Sequence, residues 1–248
     1  MRMFDLSLLL KTIMRTWFII AVVFLVTAVY STVVVIHMFL WRNHDVFFAY
    51  ARSWSKLLLW FSNVHVTMKG ASALRPGERH IYVSNHASLY DIPVILANIP
   101  DNVRIMYKRE LQKIPVFGWC LKFSPYIAID RERSREASDV LDAVVETLST
   151  GSSVLVFPEG TRSDDGRVGV FRRGAFALAV RSGRTIVPLS MIGTAEILPK
   201  KTRHIQGGNV ILRIDDPIAV PQPATRDVEK GLLAHVRQII ANNVDSQV

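Results

Sequence analysis

The stretch Ile81-Tyr82-Val83-Ser84-Asn85-His86-Ala87-Ser88-Leu89-Tyr90-Asp91 reads as a strand that stops at a polar turn. Three β-favouring residues end at Ser84-Asn85, a histidine follows at once, and an aspartate comes five residues after it. In one reading Asn85 or Ser88 caps the start of a helix and His86 is incidental. In the other His86 is a general base, a task that an imidazole with an ordinary pKa of ~6.5 suits. Asp91 would then fix its tautomer and stabilise the imidazolium formed on proton uptake. A metal site fits poorly, because one His and one Asp are too few ligands. Ser88 as a nucleophile lacks the surrounding Gly-x-Ser-x-Gly turn.

Strands of the same kind recur outward from this point. Short β-branched runs lie at His80–Val83, Val103–Tyr107, Tyr126–Ile129, Val154–Phe157, Thr185–Ile192 and Val210–Ile214. Amphipathic stretches alternate with them. Ala137, Val140, Leu141, Val144, Val145 and Leu148 repeat at helical spacing, and Gly151 follows as a stop signal. A last helix is expected over Arg226–Asn242, with Val228, Leu232, Val236, Ile239 and Ile240 on one side. Strand–helix alternation predicts an α/β fold, a single sheet covered by helices. Pro76-Gly77 and Pro217–Pro223 mark turns.

The 248-residue chain carries a net charge of +9, which draws it to anionic partners such as nucleic acid, an acidic membrane or a phosphorylated substrate. Cys120 is its single cysteine, so no intrachain disulfide forms and no Cys-x-x-Cys zinc framework exists. Thr16 to Trp41 contains no Asp, Glu, Lys or Arg. Such a run exceeds the ~20 apolar residues needed to cross a bilayer core. Trp17 and Trp41 stand at its ends, where amphipathic aromatics favour the membrane interface. A cleaved signal peptide is disfavoured by the length of the run and the lack of a small-x-small site. Flanking cations are balanced: Arg2, Lys11 and Arg15 before, Arg42, Arg52 and Lys56 after. Orientation is therefore not set, and a re-entrant helix would account for the tie. Asp45–Asn63, rich in Phe and Trp, reads as a helix at an interface, packed on the globular part, or both. The chain thus divides into a membrane-inserting and interfacial segment, 1–63, and an α/β domain, 64–248.

Two further polar blocks follow predicted strands, where α/β folds gather ligands. Lys108-Arg109-Glu110-Leu111-Gln112-Lys113 runs on to Asp130-Arg131. Phe157-Pro158-Glu159-Gly160-Thr161-Arg162-Ser163 sets an acid, a glycine, a hydroxyl and a guanidinium in one tight turn. Glycine permits close backbone approach to a ligand, and arginine grips phosphate bidentately. Phe171-Arg172-Arg173-Gly174 adds two cations. Taken singly, each block reads equally well as a solvated loop or a turn with an internal ion pair.

In order, the blocks read Asn-His-x4-Asp, Lys-x-Glu-Leu with a downstream Arg, Phe-Pro-Glu-Gly-Thr-Arg, and Ile186-Val187-Pro188-Leu189. Ile197-Leu198-Pro199-Lys200 and Asp216-Pro217-Ile218 come later. This arrangement, from about Val64 to Pro217, resembles the glycerolipid acyltransferase family, and within it the bacterial 1-acylglycerol-3-phosphate O-acyltransferases. One departure is Ser124-Pro125, in a region where many members carry a glycine. The resemblance implies transfer of a fatty acyl group from a thioester to the 2-hydroxyl of lysophosphatidic acid. It makes His86 the base and Asp91 its orienting partner. Lys108 or a neighbouring backbone N–H becomes a candidate oxyanion donor, Arg131 and Arg162 candidates for the substrate phosphate, and Glu159, Gly160 and Thr161 residues that shape that pocket. No cofactor or metal is implied, only acyl-CoA or acyl carrier protein as co-substrate. The implied setting is a bacterial inner membrane, catalytic domain facing the cytoplasm, with anionic lipids and not nucleic acid as the partner. Acyl transfer to another lyso-lipid or to glycerol 3-phosphate, a membrane-bound thioester hydrolase, and a non-catalytic binder of anionic lipid are the other readings.

Overall fold

The computed structural model of the chain describes residues 3–41, 43–70, 74, 77–129, 141–142, 144–146, 148 and 151–246. Its strands are β1 (Val64–Lys69), β2 (Ile81–Ser84), β3 (Val103–Lys108), β4 (Ile127–Ile129), β5 (Ser153–Val156), β6 (Ile186–Ile192) and β7 (Gly208–Ile214). They form one sheet in the order β1-β7-β6-β2-β5-β3-β4. Every neighbouring pair is parallel except β6 and β7. The fold is therefore α/β, a single mixed sheet flanked by helices. All six strands expected from the sequence are present to within two residues at each end. The strand that the apolar-run pattern leaves out is β1, which pairs in parallel with β7 from Val64↔Gly208 to Lys69↔Arg213. It is an edge strand with only Val64 fully buried, so it lacks the continuous apolar run that marks β2, β5 and β6.

Side-chain alternation along the central strands builds two cores. Tyr82, Leu155, Val187 and Leu189 point to one face, against Val94 and Ile95 of α3 (Asp91–Asn98) and Leu59 of α2 (His44–Phe61). Ile81, Val83, Val154, Val156 and Ile186 point to the other. There they meet Phe176 and Leu178 of α5 (Gly174–Ser182) and Leu232, Val236 and Ile240 of α7 (Arg226–Asp245), the one-turn α6 (Thr194–Ile197) lying between these two in the chain. Val144 and Leu148, in the described part of the helix expected at 137–148, pack on this second face. Gly151 takes a left-handed φ of +79° just beyond, and its N–H donates to the Leu148 carbonyl, as a helix stop should. Thr225 caps α7 by accepting from the Val228 N–H.

The apolar N-terminal run forms one helix, α1 (Met3–Trp41). At 1.5 Å per residue it is roughly 58 Å long, about twice a bilayer core. Its two faces differ. Thr16, Ile19, Ser31, Val34 and Met38 are buried against the rest of the molecule. Phe18, Phe24, Leu25, Phe39 and Trp41 are each more than half exposed. Thr16 Oγ1 lies 3.0 Å from His204 Nδ1, and Trp54 Nε1 of α2 donates to Thr27 Oγ1 at 3.1 Å. Asn43 caps α2 through the N–H groups of Asp45 and Val46. Burial of Phe47, Leu58 and Leu59 with exposure of Trp60 shows α2 packed on the domain by one face and open on the other.

Candidate active site

β2, β5 and β3 are parallel neighbours, so their C-terminal ends open onto one edge of the sheet. The three polar blocks leave from those ends. The edge is where open α/β sheets bind ligands, because the loops there are free of the ladder while the strands hold their roots.

The turn after β2 is pinned on all sides. The Asn85 side chain pairs with both backbone groups of Met191 on β6, donating at 2.9 Å and accepting at 2.8 Å. Ser88 Oγ donates to the Leu198 carbonyl at 3.0 Å. The His86 N–H donates to Glu159 Oε1 at 2.9 Å, while the His86 carbonyl accepts from the Ser163 N–H at 2.7 Å. The Phe157 ring stacks on the imidazole with centroids 4.1 Å apart. Lys200 Nζ donates to the Arg162 carbonyl at 2.6 Å and pairs with Asp164. The Asn85–Asp91 turn, the Phe157–Ser163 turn, Met191 of β6 and the Leu198–Lys200 stretch are thus tied together by direct contact.

Asp91 is fully buried as the first residue of α3, and its Oδ2 accepts three hydrogen bonds. They come from His86 Nδ1 at 2.7 Å and the N–H groups of Ala87 at 2.8 Å and Ser88 at 2.9 Å. Charge-assisted bonds of this kind offset the cost of burying a carboxylate, and the helix N-terminus adds to them. A carboxylate against Nδ1 holds the proton there, leaving the Nε2 lone pair free to accept one. Nε2 makes no hydrogen bond among the described residues, and the His86 side chain retains 16% of its exposure. Neither Asn85 nor Ser88 caps α3; Tyr90 holds that position without a side-chain bond. The polar turn serves the His–Asp pair instead.

Glu159 is 7% exposed, with its second oxygen accepting from the Gly169 N–H at 3.2 Å. Burial pushes its carboxyl up, and the N–H groups of His86 and Gly169 offset part of that. Both oxygens therefore hold backbone, which makes Glu159 the strut that fixes the His86 main chain. Gly160 has a φ of +70°, and a Cβ there would press on the Arg172 guanidinium at 3.2 Å. Thr161 is exposed and Arg162 half-buried on the same turn. The adjacent arginines differ. Arg173 makes a bidentate pair with Glu229 of α7, at 2.7 and 3.0 Å, whereas the Arg172 side chain has no ion-pair partner among the described residues. Lys108 is exposed at the end of β3, 3.5 Å from Glu110. It stands two strands from His86, roughly 10 Å across the sheet. Arg131 lies outside the described residues.

Asn85, Phe157 and Lys200 hold the site without having been singled out for it in the sequence; only their places inside the motif blocks signal them. Ser124 shapes the region of the missing glycine, donating to the Leu121 carbonyl and accepting from the Tyr126 N–H. A cavity of about 370 Å³ between α2, β1 and α3 includes none of the motif residues, so the site is the open sheet edge. Among the described residues no group of three or more His, Cys, Asp or Glu could hold a metal ion.

A buried carboxylate behind a histidine at a strand end can hold an imidazole as a general base toward a hydroxyl or water. The chain belongs to the acyltransferase family, whose model matches residues 65–192. It is 38% identical over 139 residues to the chloroplastic 1-acyl-sn-glycerol-3-phosphate acyltransferase LPAT1 of Arabidopsis thaliana, covering 56% of this chain and 39% of that one. It is 35% identical over 156 residues to the human 1-acyl-sn-glycerol-3-phosphate acyltransferase alpha, covering 62% and 55%. The crystal structure of the LPA acyltransferase PlsC from Thermotoga maritima superposes with a TM-score of 0.82 at 26% identity, over 96% of each chain. The chain spans about half the length of the curated relatives it matches.

Proposed function

We propose that the chain transfers a fatty acyl group from an acyl thioester to the 2-hydroxyl of a 1-acylglycerol 3-phosphate, making phosphatidic acid. The observation that carries this is the His86–Asp91 pair, with Nδ1 held at 2.7 Å and Nε2 open at the edge of the sheet. Nε2 takes the acceptor hydroxyl proton as that oxygen attacks the thioester carbonyl. Asp91 steadies the imidazolium. The tetrahedral intermediate collapses, the C–S bond breaks, and the imidazolium proton goes to the departing thiolate. No covalent acyl-enzyme forms, and Cys120, buried with its thiol pushed up to about 11, has no part. Arg162 and Arg131 hold the acceptor phosphate, Arg172 supports them over Gly160, and Thr161 lines the same turn. A backbone N–H near His86 or Lys108 serves as the oxyanion donor, Lys108 at longer range from the end of β3. An oxyanion donor is worth about 3–4 kcal/mol in such reactions.

Both substrates carry fatty chains, and each CH₂ taken from lipid into water costs ~0.8 kcal/mol. A site at the bilayer avoids that cost. The exposed face of α1 is the seat for it, and residues 1–63 serve as the membrane segment of an α/β domain that follows. The packing of α1 on the domain between Thr16 and Met38 supports a helix seated along the membrane surface with its apolar face inserted, rather than one that spans it. Acyl-CoA or acyl carrier protein delivers the acyl group, with no further cofactor.

The test is an assay of purified full-length protein with several acceptors, both thioester donors, and His86→Ala as control. Phosphatidic acid formed from lysophosphatidic acid, and lost in the variant, is expected. A better turnover with another lyso-lipid would move the assignment to that acceptor. Release of free fatty acid at the same rate without acceptor would make the protein a hydrolase.

A further inference from the structure

Beside α1 lies a small platform made of the 3₁₀ turn Arg109–Lys113 and α4 (Phe117–Phe123). It follows directly from β3 and the catalytic edge. Its inner side is fixed: Cys120 packs with Val34 and Met38 of α1 and Phe47 and Phe48 of α2. Gln112 Nε2 donates to Tyr107 Oη at 2.7 Å, and Tyr107 donates to the Leu121 carbonyl at 3.1 Å. Gly118 sits so close to the Gln112 backbone that a Cβ would overlap it.

The outer side of this rigid unit is apolar. Trp119 is 51% exposed, Ile114 45%, Phe123 41% and Leu111 37%. Trp119 and Phe123 are four residues apart and share one helix face. Exposed Lys113 and Lys122 flank them with no ion-pair partner among the described residues. Four large apolar side chains exposed within thirteen residues, with two lysines among them, suit an interaction surface, and the charge suits anionic headgroups. Continuity decides the occupant, because the platform packs against α1, whose own outer face exposes Val33, Ile36 and Phe39.

We infer that the Leu111–Phe123 platform is a second membrane-docking element. Trp119, Phe123, Ile114 and Leu111 enter the interfacial layer of the bilayer, and Lys113 and Lys122 meet anionic headgroups. The platform sets the depth at which the sheet edge carrying His86 meets the lipid surface. This inference rests on the membrane reading of α1.

The test uses full-length protein in a Cys120→Ser background with a nitroxide attached at Trp119→Cys, at Phe123→Cys, or at Lys230→Cys on exposed α7 as control. Vesicles contain phosphatidylcholine with phosphatidylglycerol. Labels at 119 and 123 should lose access to a water-soluble paramagnetic quencher when vesicles are added, while the label at 230 keeps it. In parallel, Trp119→Ser/Phe123→Ser should partition onto vesicles roughly tenfold more weakly while turning over detergent-dispersed substrate like the parent. Labels at 119 and 123 that stay in water on vesicle-bound protein would overturn the platform inference and leave the seating of α1 standing. Failure of the parent to bind vesicles would overturn both.

Discussion

At the scale of single residues, the candidate site divides its contacts among neighbours of similar chemistry. Asp91 and Glu159 are both buried acids, but one faces the imidazole and the other the backbone beneath it. His86→Ala should lower kcat by ~10²–10⁴, the usual worth of a positioned general base, with folding intact by circular dichroism. Glu159→Gln would set an amide NH₂ or a lost acceptor against one of two backbone N–H groups, and should lower kcat through His86 while leaving acceptor KM little changed. The arginine pair separates in the same way. Arg172→Ala should raise KM for the phosphorylated acceptor without moving Tm. Arg173→Ala should lower Tm, because Glu229 is left 7% exposed without its cation. A reversal of these two outcomes would exchange their roles. His80 makes a pH-dependent contribution of another kind. It is 3% exposed with Nδ1 2.6 Å from Thr185 Oγ1, and burial lowers its pKa. The unfolded chain then binds the proton more readily than the native one. Its contribution is complete above the unfolded pKa of ~6.5 and is lost as pH falls below that toward the lowered native value. The drop in Tm between pH 7.5 and 5.5 should shrink in His80→Gln.

At the scale of elements, tight packing leaves little freedom around the catalytic edge. Gly118→Ala should displace α4 from the 3₁₀ turn, lowering Tm and blunting vesicle binding more than turnover in detergent. The central strands were legible because each is buried on both faces, and such strands read as continuous runs of Val, Ile and Leu. β1 was not, because Val64-His65-Val66-Thr67-Met68-Lys69 has one covered side and a free edge. The His–Asp pair was legible as a spacing, yet only the fold shows that three donors converge on one oxygen of Asp91. The partnership of Asn85 with Met191, 106 residues away, leaves no local trace at all. Nor does the division between Arg172 and Arg173, which depends on where α7 places Glu229.

At the scale of the whole molecule, an α/β sheet is packed beside a long apolar helix, and the +9 charge favours an anionic surface. Vesicle binding should therefore weaken with added salt, but not vanish, since apolar insertion is not screened. The central claim is that the open Nε2 of His86 drives transfer from a thioester to a lysophosphatidic acid hydroxyl. It is tested most directly by following thiol release and phosphatidic acid formation together, in wild type and His86→Ala, with and without lysophosphatidic acid. The account predicts that both products appear in equal amounts, only when acceptor is present, and that both vanish in the variant. Equal phosphatidic acid formation by His86→Ala would contradict it.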